Sequence, residues 1–284
     1  MEEISHPRIL SGLVVRDAIR EKLASQVSTF LTPPTLMIIQ VGDREDSNTY
    51  IREKINFGAS IGMEVKVKKL KETITEAELE EEIHVHNTDT SVTGIIVQLP
   101  LPVHISKHIL EHIKPLKDVD CLTAYHEERL KNGDVRSAPA TARAIRTLLE
   151  YYTIPVASRH IVIVGRSRLV GGPTATLLRL SGAKVSVIHR QTENPKAISQ
   201  SADVLVVACG VPQLITEEWI NPSLHTVVVD VGIHRTETGL VGDVDFDRVK
   251  GSVSAISPVP GGVGPLTVAS LFEHLVSTHV QSLV

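Results

Sequence analysis

The chain has 284 residues, a formal net charge of −4, 42% hydrophobic residues and 22% charged residues. That length holds one large or two ordinary domains with proper cores, and the composition is that of a soluble globular protein. The charge leaves no broad basic surface, so nucleic acid is not an expected partner, and no apolar run approaches the length that spans a bilayer.

The start, MEEISHPRIL, is acidic and lacks an apolar core segment, which argues against a secretory signal. Ile19, Leu23, Val27 and Phe30 repeat at helical spacing and predict a helix over about 11–30. A buried strand is predicted at Thr35–Val41, then a helix from Ser47 to Ile61, then an alternating strand at Glu64–Leu70. Thr75-x-x-Glu78 is a capping box for a helix running to about Val85. Gly94–Leu99 is an apolar strand that the prolines of Gln98-Leu99-Pro100-Leu101-Pro102 stop. His104, His108 and His112 recur at intervals of four, as on one helix face, but no carboxylate or cysteine completes a ligand set, and no metal site is expected.

A second series follows a helix at about Pro139–Tyr152. Strands are predicted at His160–Val164, Lys184–Ile188, Val204–Ala208 and Thr226–Val231, with a helix at Gly172–Ser181 and a last helix from Pro265 to Val280. Strands of near-continuous Val and Ile, alternating with helices, imply parallel sheets covered on both faces. The residues therefore predict two α/β domains meeting near 120–145. Cys121 and Cys209 lie far apart and form no C-x-x-C, so no disulfide framework is expected and a reducing cytoplasm fits best.

His160-Ile-Val-Ile-Val-Gly165-Arg166-Ser167-Arg168-Leu169-Val170-Gly171-Gly172 reads as strand, glycine turn and helix start. Such a turn lets backbone approach a pyrophosphate, and the helix N-terminus favours its charge. Ser167 stands where the second glycine of G-x-G-x-x-G would be. Where an NAD site carries an acidic residue after the next strand, this sequence has Arg190. Arg166 and Arg190 suit the 2′-phosphate of NADP.

The cluster Pro258-Val-Pro260-Gly261-Gly262-Val-Gly264-Pro265-Leu-Thr267 resembles the signature of the methylenetetrahydrofolate dehydrogenase/cyclohydrolase family. So do Val41-Gly42…Ser47-x-x-Tyr50-x-x-x-Lys54, Gly94-Ile-Ile-Val-Gln98-Leu-Pro-Leu-Pro102, Lys117-Asp118-Val119-Asp120 and Gly165-Arg166-Ser167-x-x-Val170-Gly171, in the family's order and spacing over nearly the whole chain. The resemblance implies an N-terminal α/β folate-binding catalytic domain (1–138 plus 268–284), since the last helix returns to it. It implies a C-terminal Rossmann-type NADP-binding domain (139–267), with a cleft between the two. It further implies a homodimer in one-carbon metabolism and purine biosynthesis, with tetrahydrofolate derivatives as substrates.

The implied activity is NADP-dependent oxidation of 5,10-methylenetetrahydrofolate and hydrolysis of the methenyl product to 10-formyltetrahydrofolate. Tyr50 would pack against the folate, and Lys54, four residues on and on the same helix face, would shuttle protons. Gln98 would orient the lysine, and Asp120 would hold the pterin's amino and N3 donors. Leu99, Pro260 and Gly261 would touch substrate. Thr141, Gly165, Arg166, Ser167, Arg190, Ala208, Ile233, Gly264 and Thr267 would line the cofactor site.

This sequence departs from the family at Cys121, which replaces a glycine and could crowd the pterin. It departs again at Pro139-Ala140-Thr141-Ala142, where the helix start could differ, and at Asp46, which could act on a helix N-terminus. The alternatives are a dehydrogenase that has lost the cyclohydrolase activity, or one that uses NAD, and a non-catalytic nucleotide-binding regulator. Lys54 argues against loss of the hydrolase, the two arginines argue against NAD, and the intact glycine cluster argues against the regulator.

Overall fold

The computed structural model describes residues 7–237 and 239–282. The first six residues of the acidic start and the last two of the range assigned to the returning helix lie outside the described residues. In chain order the elements are β1 (Arg8–Ile9), α1 (Gly12–Val27), β2 (Thr35–Val41), α2 (Glu45–Ser60), β3 (Glu64–Leu70), α3 (Glu76–Thr88), β4 (Gly94–Val97) and α4 (Ala124–Lys131). There follow α5 (Ala140–Tyr151), β5 (His160–Val164), α6 (Gly171–Leu180), β6 (Lys184–Ile188), α7 (Pro195–Ser199), β7 (Val204–Val207) and β8 (Val227–Asp230). The chain closes with β9 (His234–Thr236), β10 (Gly239–Val241), α8 (Phe246–Val249), β11 (Ala255–Ile256) and α9 (Val263–Ser282). These elements form two compact units, one of Asp17–Arg129 with the chain from Val268 onward, the other of the chain up to Arg16 with Leu130–Thr267.

The first unit is built on a parallel sheet in the order β3-β2-β4. β2 is buried along its whole length, as a central strand of continuous apolar residues requires, while β3 carries lysines along an exposed edge. Ile39, Leu79, Ile83, Ile95 and Ile109 are among the residues that fill its core. α3 starts where the sequence indicated: Thr75 Oγ1 accepts from the Glu78 N–H, and the Glu78 carboxylate accepts from the Thr75 N–H at 2.8 Å. From Val268 onward α9 packs here, with the Phe272 ring 5.2 Å from that of Phe57. The three histidines spaced by four do not share an α-helical face. A 3₁₀ turn spans Lys107–His112, His104 lies outside it against the Ile74 carbonyl, and His112 pairs with Glu80.

The second unit holds a parallel sheet of six strands among the described residues, ordered β1-β11-β8-β7-β5-β6. Val162, Leu205, Val228 and Ile256 pack with Trp219 and Ile220 on one face. α5 lies against α6, where Ala138 and Ala142 meet Leu130 and Leu177. The compact units differ from the sequence-based bounds at both ends of the division. Residues 7–16 pack with the six-stranded sheet, because the N–H groups of Arg8 and Leu10 bond the carbonyls of Ser254 and Ile256, and residues 130–138 belong to the same unit through Leu130 and Ala138, which pack with Ala142 and Leu177. β4 and β7 end earlier than expected, at Val97 and Val207, so Gln98 and Ala208 are the first residues past their strands.

Candidate active site

α2 begins at Glu45, two residues before the expected start, with Glu45 and Asp46 in its first turn. Asp46 Oδ1 accepts from the Ser47 N–H at 2.8 Å, so a carboxylate sits on the helix N-terminus. The fork of Arg44 grips that carboxylate and holds its pKa below the usual range. One turn further on come Tyr50, whose ring is exposed, and then Lys54, half-buried on the same helix. Lys54 Nζ donates to Gln98 Oε1 at 2.8 Å. Gln98 is itself buried, and its Nε2 donates to the Leu99 carbonyl at 2.7 Å. A carbonyl can only accept, so this bond turns the amide nitrogen toward Leu99 and the oxygen toward the lysine.

Burial pushes the Lys54 ammonium below the ordinary lysine range, while the charges of Asp120 and, less, Glu53 pull it back up. The opposition is what a proton shuttle needs, since a lysine lowered by desolvation exchanges protons nearer neutrality. The structure thus brings Lys54, Gln98, Leu99 and the charge of Asp120 together, with Tyr50 one helical turn away.

The loop that carries Asp120 is tied down on three sides. Lys117 Nζ donates to the carbonyls of His86 and Asp89 at 2.9 and 2.6 Å, closing the C-terminal end of α3. Asp118 is buried, and its Oδ2 accepts from the Thr123 N–H at 2.9 Å. Cys121 is buried at φ 57°, with Sγ 3.4 Å from His274 Nε2. That left-handed backbone explains why a glycine is at home in this position. The side chain expected beside the pterin is packed against α9. Among the described residues, no group of three or more His, Cys, Asp or Glu is arranged to hold a metal ion.

In the six-stranded unit, Gly165 ends β5 at φ 115°, and a Cβ there would lie 2.1 Å from the Ala208 carbonyl oxygen. Only glycine fits that approach of two strand ends. Ser167 compensates for the missing second glycine, because its hydroxyl accepts from the N–H groups of Val170 and Gly171 at 3.2 and 3.4 Å. Beside this turn lies a pocket of about 500 Å³ whose lining includes Gly165, Arg166, Ile188, Arg190, Cys209 and Trp219. Both arginines are exposed, and neither forms an ion pair among the described residues. The Cys209 thiol, pushed up to about 12 chiefly by burial, stays protonated and offers no nucleophile.

The remaining expected residues sit as follows. Ala208 follows β7, and Ile233 follows β8 with its Cδ1 about where Gly264 leaves room, 3.0 Å from an added Cβ. Thr267 donates from its hydroxyl to the Val263 carbonyl, one turn back in α9. Thr141 is half-buried in the first turn of α5, which starts after Pro139. The altered sequence there is closed by Arg143, which donates to the Ala138 carbonyl. Gly261 has φ 100°, and its carbonyl accepts from Gly12 N–H at 2.8 Å, fixing the loop that includes Pro260.

A glycine turn between a buried parallel strand and a helix, flanked by two unpaired guanidinium groups, marks the second unit as one that binds a dinucleotide. Together with a lysine–amide pair on the first unit, it defines a two-domain α/β enzyme class that couples nucleotide binding to proton chemistry. Residues 10–120 match the model of the tetrahydrofolate dehydrogenase/cyclohydrolase catalytic domain, and residues 139–283 match that of the tetrahydrofolate dehydrogenase/cyclohydrolase NAD(P)-binding domain. The chain belongs to the tetrahydrofolate dehydrogenase/cyclohydrolase family. It is 38% identical over 274 residues to the bifunctional protein FolD of Acholeplasma laidlawii, covering 96% of this chain and 98% of that one. The crystal structure of the bifunctional FolD enzyme of Campylobacter jejuni is 38% identical, covers 96% of this chain and 99% of its own, and has a TM-score of 0.92. That of the Trypanosoma brucei enzyme, complexed with NADP cofactor and an inhibitor, is 34% identical over 98% of this chain and 99% of its own, again with a TM-score of 0.92.

Proposed function

We propose that this enzyme oxidises 5,10-methylenetetrahydrofolate with NADP and hydrolyses the resulting 5,10-methenyltetrahydrofolate to 10-formyltetrahydrofolate. The observation that carries the reading is the 2.8 Å bond from Lys54 Nζ to Gln98 Oε1, made by a lysine whose pKa burial has lowered. In the hydrolysis, water adds to the methenyl carbon. Neutral Lys54 takes the first proton that the water loses and returns it to the ring nitrogen as the C–N bond breaks; the hydroxyl left on the carbon gives its own proton to solvent as it becomes the formyl C=O. Gln98 aims the ammonium and polarises substrate, Asp120 accepts from the pterin's amino and N3 groups, and Tyr50 and Leu99 flank the ring. Asp120 engaged on those donors shields less of the cost of a charged Lys54, so substrate binding itself favours the neutral, basic lysine.

The dinucleotide, when bound, supplies the hydride acceptor at C4 of its nicotinamide. The residues present fit it. Gly165 leaves the strand-end space that a pyrophosphate approaches, Arg166 and Arg190 are the cations for a 2′-phosphate, and Ser167 lies at the helix start. Thr141, Ala208, Ile233, Gly264 and Thr267 complete the proposed cofactor set, and Pro260 and Gly261 are assigned to substrate. We extend the proposal to a homodimer that works in the cytoplasm in one-carbon supply for purine biosynthesis, without nucleic-acid or membrane partners; the family resemblance carries the dimer and the pathway, a net charge of −4 speaks against nucleic acid, and two cysteines outside any disulfide suit a reducing compartment. The test is an absorbance assay for methenyltetrahydrofolate formation with NADP and with NAD, followed by its decay. Formation with NADP and subsequent hydrolysis are expected. Absence of turnover with either nucleotide would overturn the reading, and turnover without decay would reduce it to a dehydrogenase.

A further inference from the structure

Two carboxylates in the six-stranded unit have no part in the chemistry described above, yet both are buried. Asp243 is fully buried and Asp230 nearly so. Asp243 Oδ2 accepts from the consecutive N–H groups of Cys209 and Gly210 at 2.7 and 2.9 Å, and its Oδ1 lies 2.7 Å from His234 Nε2. Asp230 Oδ1 accepts from the N–H groups of Gly232 and Asp243 at 3.1 and 3.0 Å, and Oδ2 from that of Val244 at 2.9 Å. Ser257 Oγ accepts from the Asp230 N–H at 2.8 Å. The fit leaves no slack. A Cβ on Gly232 would lie 2.2 Å from Asp243 Oδ1, and one on Gly242 would lie 1.8 Å from Asp230 Oδ2.

The segments joined in this way are those that follow β7, β8 and β11, at the carboxyl ends of neighbouring parallel strands. Ligands of open α/β sheets bind at that edge. Gly165, Arg166 and Arg190 lie at the ends of β5 and β6 and take the pyrophosphate and the adenosine phosphate. The sheet order then continues through β7, β8 and β11, so the other half of a dinucleotide lies over the segments carrying Ala208, Ile233 and Gly264. The last ladder bonds between them run from the Val231 N–H to the Val207 carbonyl at 2.9 Å and from the Ser257 N–H to the Val228 carbonyl at 3.0 Å. Beyond those bonds the side-chain ties are these two carboxylates with His234 and Ser257, and the N–H groups of Gln213 and Ile215 bring the chain beside Asp243 to the segment after β7 through the Gly242 and Asp243 carbonyls at 2.9 and 3.0 Å.

We infer that Asp243, held by Asp230 and His234, is a positioning residue that sets the spacing of the three segments receiving the nicotinamide half of the cofactor. This rests on the dinucleotide reading of the unit, and the experiment separates the two. Affinities of the wild type, Asp243→Asn, His234→Leu and His234→Gln are measured for NADP and for 2′,5′-ADP, a probe of the adenosine half alone, with dehydrogenase kcat and KM. An amide at 243 turns a donor toward either two N–H groups or the imidazole. Loss of one charge-assisted bond corresponds to about tenfold in affinity. Asp243→Asn and His234→Leu should therefore weaken NADP about tenfold and lower kcat, with 2′,5′-ADP affinity held within about twofold; His234→Gln, which keeps a donor, should recover most of the loss. Equal weakening of NADP and 2′,5′-ADP would show general loosening and overturn the inference, as would unchanged NADP affinity and kcat in folded His234→Leu, the milder variant that decides the matter if Asp243→Asn does not fold. A wild type that binds neither probe would instead sink the dinucleotide reading.

Discussion

Cys121 Sγ lies 3.4 Å from His274 Nε2, and the residue that makes this contact has the backbone of a glycine, at φ 57°. A side chain in that region costs roughly 1–2 kcal/mol, so the buried contact with α9 offsets a local strain. Truncation should separate the two effects. Cys121→Ala keeps the strain and loses the sulfur, and should destabilise by about 1–2 kcal/mol. Cys121→Gly loses the sulfur but relieves the strain, and should be the more stable of the two, the reverse of the usual order of Ala and Gly. Urea midpoints decide it; Gly below Ala would mean that the strain is not felt.

Lys54 is a group whose folded-state pKa is depressed, chiefly by burial. The stability linked to such a group is present above its unfolded pKa and lost as pH falls through the folded one, so at neutral pH a charged Lys54 weighs against the fold. Lys54→Met should leave the unfolding midpoint at pH 7 no lower than in the wild type. Methenyl hydrolysis should fall by about 10²–10⁴, the usual share of a positioned acid–base group, with NADP affinity unchanged. Wild-type hydrolysis in the variant would remove Lys54 from the chemistry.

The two aspartates of Lys117-Asp118-Val119-Asp120 have separate duties. Asp118 is buried on the Thr123 N–H, so Asp118→Asn should cost about 1–3 kcal/mol of stability through a buried bond left poorly made, and little folate affinity at saturation of the folded state. Asp120 raises the pKa of Lys54 through its charge. Asp120→Asn should weaken folate binding and also move the alkaline-requiring limb of the hydrolysis profile to lower pH, since the neutral lysine then forms sooner. A profile that stays in place would mean that the two groups are not coupled.

Lys54, Tyr50 and Gln98 stand out in the sequence through the family motifs they belong to; the interval of four adds only that the first two share a helix face, and the prolines only that Gln98 lies at a strand end. What holds them does not. Lys117 appeared in a motif without a role, since its partners, the carbonyls of His86 and Asp89, are joined to it only by the folded topology. β1 and β11 contribute two residues each to the six-stranded sheet, too few to show a period, so the packing of residues 7–16 with that sheet is not legible in the sequence. Asp243 gave no signal either, because Cys209 and Gly210 are 34 and 33 residues away.

Arg166 and Arg190 line one pocket and pair with nothing among the described residues, which leaves both guanidinium groups available to a phosphate. Replacing both by serine should raise the KM for NADP by roughly tenfold or more and leave that for NAD little changed. The loss should shrink in high salt, because contacts between exposed charges are screened. A double variant that keeps the wild-type preference for NADP would assign the 2′-phosphate to other groups.

Asp230 allows the pH dependence of stability to be worked out with its sign. Burial first, and the neighbouring charge of Asp243, push its carboxyl from 3.8 to about 7, against the three N–H donors of Val244, Asp243 and Gly232. The folded state therefore holds a proton that the unfolded state releases. Stability from this group is full below about 3.8 and is lost as pH rises through about 7, the opposite of the usual paired carboxylate. Between pH 7 and 5.5 the extra proton held by the folded protein rises from about one half to nearly one, which corresponds to a gain of about 1.5 kcal/mol on acidification. The comparison is with Asp230→Asn, which has the same shape and no titration, so that every other titrating group cancels. The difference in unfolding free energy between wild type and variant should grow by about 1.5 kcal/mol from pH 7 to 5.5. A difference that is flat across those pH values would mean that the N–H donors win and Asp230 is ionised throughout.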